Sequence, residues 1–179
     1  MRFAIFDTET TGLVAPSVQD IAKQPRIIEF GLAIVDGDQT YEYNWLIDPE
    51  EDITAEITKI TGITNEMLEG KLKFREVLDE IEEAFAGTEM LIAHNAPFDV
   101  SMLHYELQRC GRTGFPWPAI TVCTVQEYQH EFGHRPKLTD LYERKLGRPL
   151  AQTHRALDDV LALVEILKHE QFFETMEAI

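Results

Sequence analysis

The chain has little of what marks a secreted, membrane-embedded or fibrous protein. Only two cysteines occur in 179 residues, Cys110 and Cys123. One lies in a helix-like stretch and the other in a strand-like one, so no disulfide framework is expected and a reducing, cytoplasmic compartment is. No apolar run approaches a membrane span, no basic-plus-apolar leader occupies the N-terminus, and no repeat or low-complexity segment appears. Positive charge is scarce too: 16 Lys and Arg stand against 32 Asp and Glu, a formal net charge of −16. That excess opposes any polyanionic partner at long range, so contact with one must be local. One stretch can supply it, since Arg135, Lys137, Arg144, Lys145, Arg148 and Arg155 lie close together, opposed there only by Asp140 and Glu143. A solvated charged face is the plainer alternative for each.

What is present suffices for one compact domain, 1–179, with 44% hydrophobic and 27% charged residues. Phe3 to Phe6 is a short apolar run, and in Ile27 to Val35 the residues Ile28, Phe30, Leu32 and Ile34 alternate with Glu29, Gly31 and Ala33. Asp36-Gly37 turns the chain into Tyr41 to Ile47, which predicts an antiparallel meander. Phe74, Val77, Leu78, Ile81 and Phe85 recur at helical spacing up to Gly87, followed by a buried strand at Met90 to Ala93. Pro97 opens a helix ending at Gly111, and a fifth strand is expected at Ile120 to Cys123. Helices at Val125 to Phe132, Leu138 to Leu146 and about Arg155 to Lys168 complete an α/β order. Val14 to Pro25 and Gly111 to Pro118 read as variable loops.

The acids carry the chemistry. Asp7 and Glu9 end a strand two residues apart, so they share a side if extended geometry persists. Asp99 has Met102, Leu103 and Leu107 on its own helical stripe, and Asp159 lines up with Ala156, Leu163, Ile166 and Leu167, whereas Asp158 faces out with Arg155 and Glu165. Each has a bland alternative: Asp7 as a turn former, Asp99 as a first-turn helix acid, His154 as a surface or satisfied core histidine. Several buried acids without matching bases repel one another, however, and hard divalent cations resolve that conflict. Oxygen ligands favour Mg²⁺ or Mn²⁺ over zinc.

FDTETTGL, IIEFG, DITAEITKITGIT, AHNAPFD and HRALDD, in this order and spacing over nearly the whole chain, resemble the DEDDh branch of the DEDD exonucleases. The similarity is to DnaQ-like domains such as the proofreading epsilon subunits of bacterial DNA polymerase III. The resemblance implies a ribonuclease H-like fold: a mixed five-stranded sheet, antiparallel meander first and parallel strands after, flanked by helices. It implies metal ligands at Asp7, Glu9, Asp99 and Asp159, with Asp7 bridging two ions of Mg²⁺ or Mn²⁺, and a general base at His154. Two such ions clamp the attacking and leaving oxygens of an in-line displacement, and a histidine titrating near neutrality accepts the water's proton. Five residues before Asp159, His154 belongs on a lead-in loop rather than on the helix face.

The same resemblance assigns Thr10, Thr11, Gly12, Leu13 and Phe98 to the terminal nucleotide, with ordinary core the alternative for Leu13 and Phe98. Many relatives carry histidine before Gly-Ile-Thr, where this chain has Thr61. The expected activity is 3′-to-5′ removal of nucleoside 5′-monophosphates from DNA, single strands preferred, with roles in proofreading or repair. Alternatives are an RNA-trimming exoribonuclease or a non-catalytic, polymerase-binding adaptor. A nucleic acid with a free 3′ end is the expected partner and a DNA polymerase a further one, with no membrane and no small-molecule cofactor. No long extension follows the last helix, so a stand-alone role is the expectation.

Overall fold

The computed structural model describes residues 1–15 and 20–178, so residues 16–19 of the loop expected from Val14 to Pro25 lie outside the described residues. Five strands form one sheet in the order β3-β2-β1-β4-β5. β1 (Arg2–Thr10), β2 (Ile27–Asp36) and β3 (Gln39–Leu46) make the antiparallel meander. β4 (Met90–Ala93) and β5 (Ile120–Cys123) add parallel to β1. Gly37, at φ +55°, turns β2 into β3, a conformation that glycine adopts without steric cost.

Both faces of the sheet are buried, and side-chain alternation sorts them. Ala4, Phe6, Phe30, Leu32, Ile34 and Leu91 pack against α3 (Phe74–Phe85) and α4 (Ala96–Arg109). Phe3, Ile5, Ala33, Val35 and Ile92 pack on the other face against α5 (Thr124–Phe132), α6 (Leu138–Leu146), α7 (Ala156–His169) and α8 (Phe172–Glu177). The two cysteines are free thiols. Among the described residues no helix is long and apolar enough to cross a membrane.

Three α-helices and one short 3-10 helix, Ile21–Lys23 within the expected Val14 to Pro25 loop, depart from the sequence reading. α1 (Ala55–Thr61) lies within the ITAEITKITGIT stretch, α2 (Asn65–Leu68) directly follows it, and α8 follows α7. Repeated β-branched residues hide α1 from a propensity argument. It forms because Thr54 caps its start, Gly62 ends it at φ +70°, and Ile53 and Ile63 on either side bury against Ile28. β1 also runs farther than its apolar core, reaching Thr10.

Candidate active site

β1 stays extended through Glu9, so Asp7 and Glu9 project to the side of Phe3 and Ile5, the side that α7 covers. Across the ladder Asp7 pairs with Gly31 and Glu9 with Glu29. Gly31 lets α7 descend: a Cβ there would meet the Ala156 carbonyl carbon and the Leu157 nitrogen, each at 2.5 Å. This close approach puts Asp159, in the first turn of α7, beside the strand acids. Carboxylate oxygens of Asp7, Glu9 and Asp159 lie within 4.8 Å of one another. Asp158 points to solvent, accepting from the Thr153 hydroxyl at 2.6 Å, while Asp159 is buried, as the helical periodicity requires.

Asp99 arrives from the opposite face. Its Oδ1 accepts from the Thr8 amide at 3.1 Å and the Thr8 hydroxyl at 2.8 Å, so it is not one of the three that cluster within 4.8 Å. Thr8, an even position of β1, points toward α4 and links Asp99 to the strand. Asp99 is nevertheless the strongest charged influence on Asp7.

The electrostatics are those of an acid-rich pocket without enough cations. Burial first, then Asp99, Glu9, Asp159 and Glu29, holds the Asp7 carboxyl well above the usual range. Glu9 is pushed up to about 8 by burial, then by Asp159 and Glu29, with Arg155 opposing. Asp99 is pushed up to about 7 by burial, against the hydrogen bonds from Thr8. Burial also raises Asp159, whose Oδ2 accepts from Gln152 Nε2 at 2.9 Å. Its Oδ1 is buried and has no hydrogen-bond partner among the described residues. An orphaned oxygen among mutually repelling carboxylates fits a hard divalent cation, whose charge and oxygen preference answer both deficits.

Two clefts flank the cluster. One, of about 570 Å³, is lined by Asp7, Asp159, His154 and Gln152 on one side and by His94, Asn95, Arg135 and Lys137 on the other. His154 is exposed on the lead-in to α7 at φ +52°, in the left-handed region, as the spacing argument expects of a loop position. His94 is neutral, burial pushing it down to about 4; its Nε2 donates to the Pro136 carbonyl at 3.2 Å, and its Nδ1 accepts from the Thr124 hydroxyl at 3.0 Å. His94 and Gln152 were not singled out from sequence, though His94 lies inside the AHNAPFD motif.

The second cleft, of about 630 Å³, is lined by Glu9, Thr10, Thr11, Gly12, Leu13, Phe98 and, from α1, Ile57, Ile60 and Thr61. Leu13 is 84% exposed and so is not core, whereas Phe98 is half-buried and packs against the core beneath α3 and α4 while lining the cleft. The Thr10 hydroxyl donates to the Gly12 carbonyl at 2.7 Å, and Thr11 exchanges hydrogen bonds with the Arg26 backbone, pinning this wall. Arg109 donates to the carbonyls of Ile21, Gln24 and Pro25, and together with Arg26 pairs with the buried Glu106, anchoring the wall to α4. Thr61 is internally satisfied, donating to the Ile57 carbonyl at 3.0 Å and accepting from the Ile63 amide at 3.1 Å.

The basic stretch is mostly spent elsewhere, which corrects its reading as one polyanion contact. Lys145 bridges Glu131 and Glu170, and Arg148 pairs with Glu165 beside the Tyr142 ring. Arg144 lies over Phe132, and Arg155 is bound to Glu29. Only Arg135 and Lys137 of the expected basic stretch line the cleft beside the acids.

Residues 4–167 match the family model for exonucleases. The epsilon subunit of DNA polymerase III from Treponema pallidum is 34% identical, over 93% of this chain and 74% of that protein. A PolC-type DNA polymerase III from Clostridium perfringens is 35% identical, over 93% of this chain but only 11% of that protein. The chain thus spans about a tenth of the length of its PolC-type relatives. Among solved structures, the nuclease domain of 3′hExo, a DEDDh family member bound to rAMP, matches with a TM-score of 0.73 at 18% identity. That match covers 97% of this chain and 92% of the other.

Proposed function

The chain belongs to the exonuclease family of DnaQ-like domains with a ribonuclease H-like fold, and from that premise we propose a metal-dependent 3′-to-5′ exonuclease that acts on DNA. One observation carries the reading: three carboxylates within 4.8 Å, one of them with an orphaned oxygen, lie between a cleft bearing His154 and a cleft with apolar walls. Asp7, Glu9 and Asp159, with Asp99 behind Thr8, would hold two ions of Mg²⁺ or Mn²⁺. When bound, such ions supply charge neutralisation at the phosphate and a lowered pKa for the attacking water.

The remaining work falls to the chain's own groups. Leu13 and Phe98 offer apolar surface on which any base can stack, while the Thr10–Gly12 backbone offers polar groups to the terminal sugar. An imidazole nitrogen of His154 takes the proton from the attacking water. The bond from phosphorus to the 3′ oxygen of the penultimate nucleotide breaks, a new one to the water oxygen forms, and a nucleoside 5′-monophosphate leaves. Thr61, its hydroxyl committed to α1, makes no substitute for the histidine that many relatives carry. All five DEDDh positions are present, which argues against a silent adaptor. The relatives named as polymerase III make a DNA polymerase the proposed protein partner. RNA is the second reading, because the structural neighbour holds rAMP.

The test is cleavage of 5′-labelled single-stranded DNA, duplex DNA and RNA of one sequence. The reading expects a stepwise ladder from the 3′ end, fastest on single-stranded DNA, abolished by chelation and restored by Mg²⁺. Full activity under chelation, or release of the 5′ label first, refutes it; preference for RNA establishes the second reading.

A further inference from the structure

We propose that Glu29 is a positioning residue for the acid cluster: from β2 it caps the start of α7, and it keeps the Arg155 guanidinium off Asp7, Glu9 and Asp159. This rests on the reading that the cluster binds a divalent cation. Glu29 is fully buried and sits directly across the ladder from Glu9. Its two oxygens accept from Arg155 Nε at 3.1 and 3.0 Å, again from Arg155 Nη2, from the Ala156 amide at 3.0 Å and from Asn44 Nδ2 at 3.0 Å.

Stability alone does not call for an acid here, because well-packed apolar residues often replace a buried ion pair without loss. The geometry points to control of α7 instead. Arg155, the N-cap residue of α7, makes no side-chain cap, so the first free amide of the helix, that of Ala156, is satisfied from the neighbouring strand by Glu29. The helix that presents Asp159 is thus capped by the residue paired with Glu9. Arg155 is also the cation next to the cluster in sequence, one residue after His154 and four before Asp159. Released from Glu29, a guanidinium on a long side chain would pair with the same carboxylate oxygens that a metal needs.

The experiment compares the full chain as wild type, Glu29→Gln and the double variant Glu29→Gln/Arg155→Gln, by Mn²⁺ calorimetry, thermal melting and steady-state cleavage. Glutamine keeps the shape and an acceptor for the Ala156 amide but cannot hold Arg155 by charge. The single variant is expected to bind Mn²⁺ about 10–100-fold more weakly and to lose kcat with little change in KM for the oligonucleotide. The double variant, lacking the competing cation, is expected to recover most of the Mn²⁺ affinity. Unchanged Mn²⁺ binding by Glu29→Gln, or a double variant no tighter than the single one, overturns the proposal. Should Glu29→Gln fail to fold, the double variant decides: near-wild-type Mn²⁺ affinity supports the sequestering of Arg155, and weak binding overturns it. A wild-type chain that takes up no Mn²⁺ overturns the functional reading itself.

Discussion

Replacing Gly31 with alanine tests whether the site depends on how closely α7 approaches the strand acids. The new Cβ would stand 2.5 Å from two backbone atoms of the first turn of α7 and 2.8 Å from the Ala156 carbonyl oxygen. Carbon contacts become comfortable only at about 3.5 Å, and backbone atoms cannot rotate aside as a side chain can. The first turn of α7 must therefore retreat by about 1 Å, carrying Asp159 and the His154 lead-in with it. Overpacking of this kind costs about 1–3 kcal/mol, and in a domain of this size each kcal/mol lowers the melting temperature by about 2–4 °C. A misplacement of about 1 Å at a reacting centre costs about 10²-fold in rate. Gly31→Ala is thus expected to melt a few degrees lower yet cleave about 10²-fold more slowly, as read by single-turnover digestion of a 5′-labelled oligonucleotide. Ile81→Val serves as the control, because Ile81 is fully buried on the opposite face and its truncation costs about 0.5–1.5 kcal/mol. If the control loses as much cleavage as Gly31→Ala, or Gly31→Ala loses none, the argument from the position of α7 fails.

Asp159→Ala is expected to abolish both cleavage and Mn²⁺ binding while Asp158→Ala keeps most of each; calorimetry beside single-turnover cleavage would expose the reverse ranking. Without metal, stability should fall as pH rises: burial raises Glu9 to about 8 and Asp99 to about 7, so the folded state holds protons that the unfolded chain releases near pH 4. That contribution is complete below the ordinary carboxylate range and is lost as pH passes through about 7–8; urea midpoints that do not fall between pH 5 and pH 8, or that Mg²⁺ fails to raise at pH 8, contradict it. Arg135→Ala with Lys137→Ala should raise KM and flatten its salt dependence on single strands, by about 0.7 in log–log slope for each phosphate no longer neutralised, whereas Arg144→Ala, over the Phe132 ring, should do neither.

Periodicity carried a good deal of this architecture. The alternation in β2 and the helical stripes in α3, α4 and α7 were each legible because burial on one face imposes a period on the sequence, and the same logic separated Asp159 from Asp158. Positions defined by partners distant in sequence were not legible. Arg144, Lys145 and Arg148 look like free cations in a string, and only the fold brings Phe132, Glu131, Glu170 and Glu165 against them. α1 escaped for a related reason: its residues favour strands, and its stability comes from capping and from Ile28 beneath it. Glu29 and Gly31 lay in view within IIEFG, but their roles depend on the far end of the chain packing there.

Side-chain parity also explains why the four acids do not meet as equals. Odd residues of β1 face α7 and even ones face α4, so Asp7, Glu9 and Asp159 share one side while Asp99 comes from the other and is held through Thr8. The site sits where both apolar cores run out, at the C-terminal ends of the parallel strands β1 and β4, where α/β sheets commonly open a crevice. Within the cores a buried acid is costly; at this edge the cost is concentrated on a few residues. The groups that limit it, Thr8 for Asp99 and Gln152 for Asp159, leave Asp159 Oδ1 unsatisfied. Filling every partner from within the protein would stabilise the metal-free fold but leave less for a cation to gain. On the proposed reading, a substitution that supplies Asp159 Oδ1 with a partner from within the protein is therefore expected to raise apo stability and weaken Mn²⁺ binding.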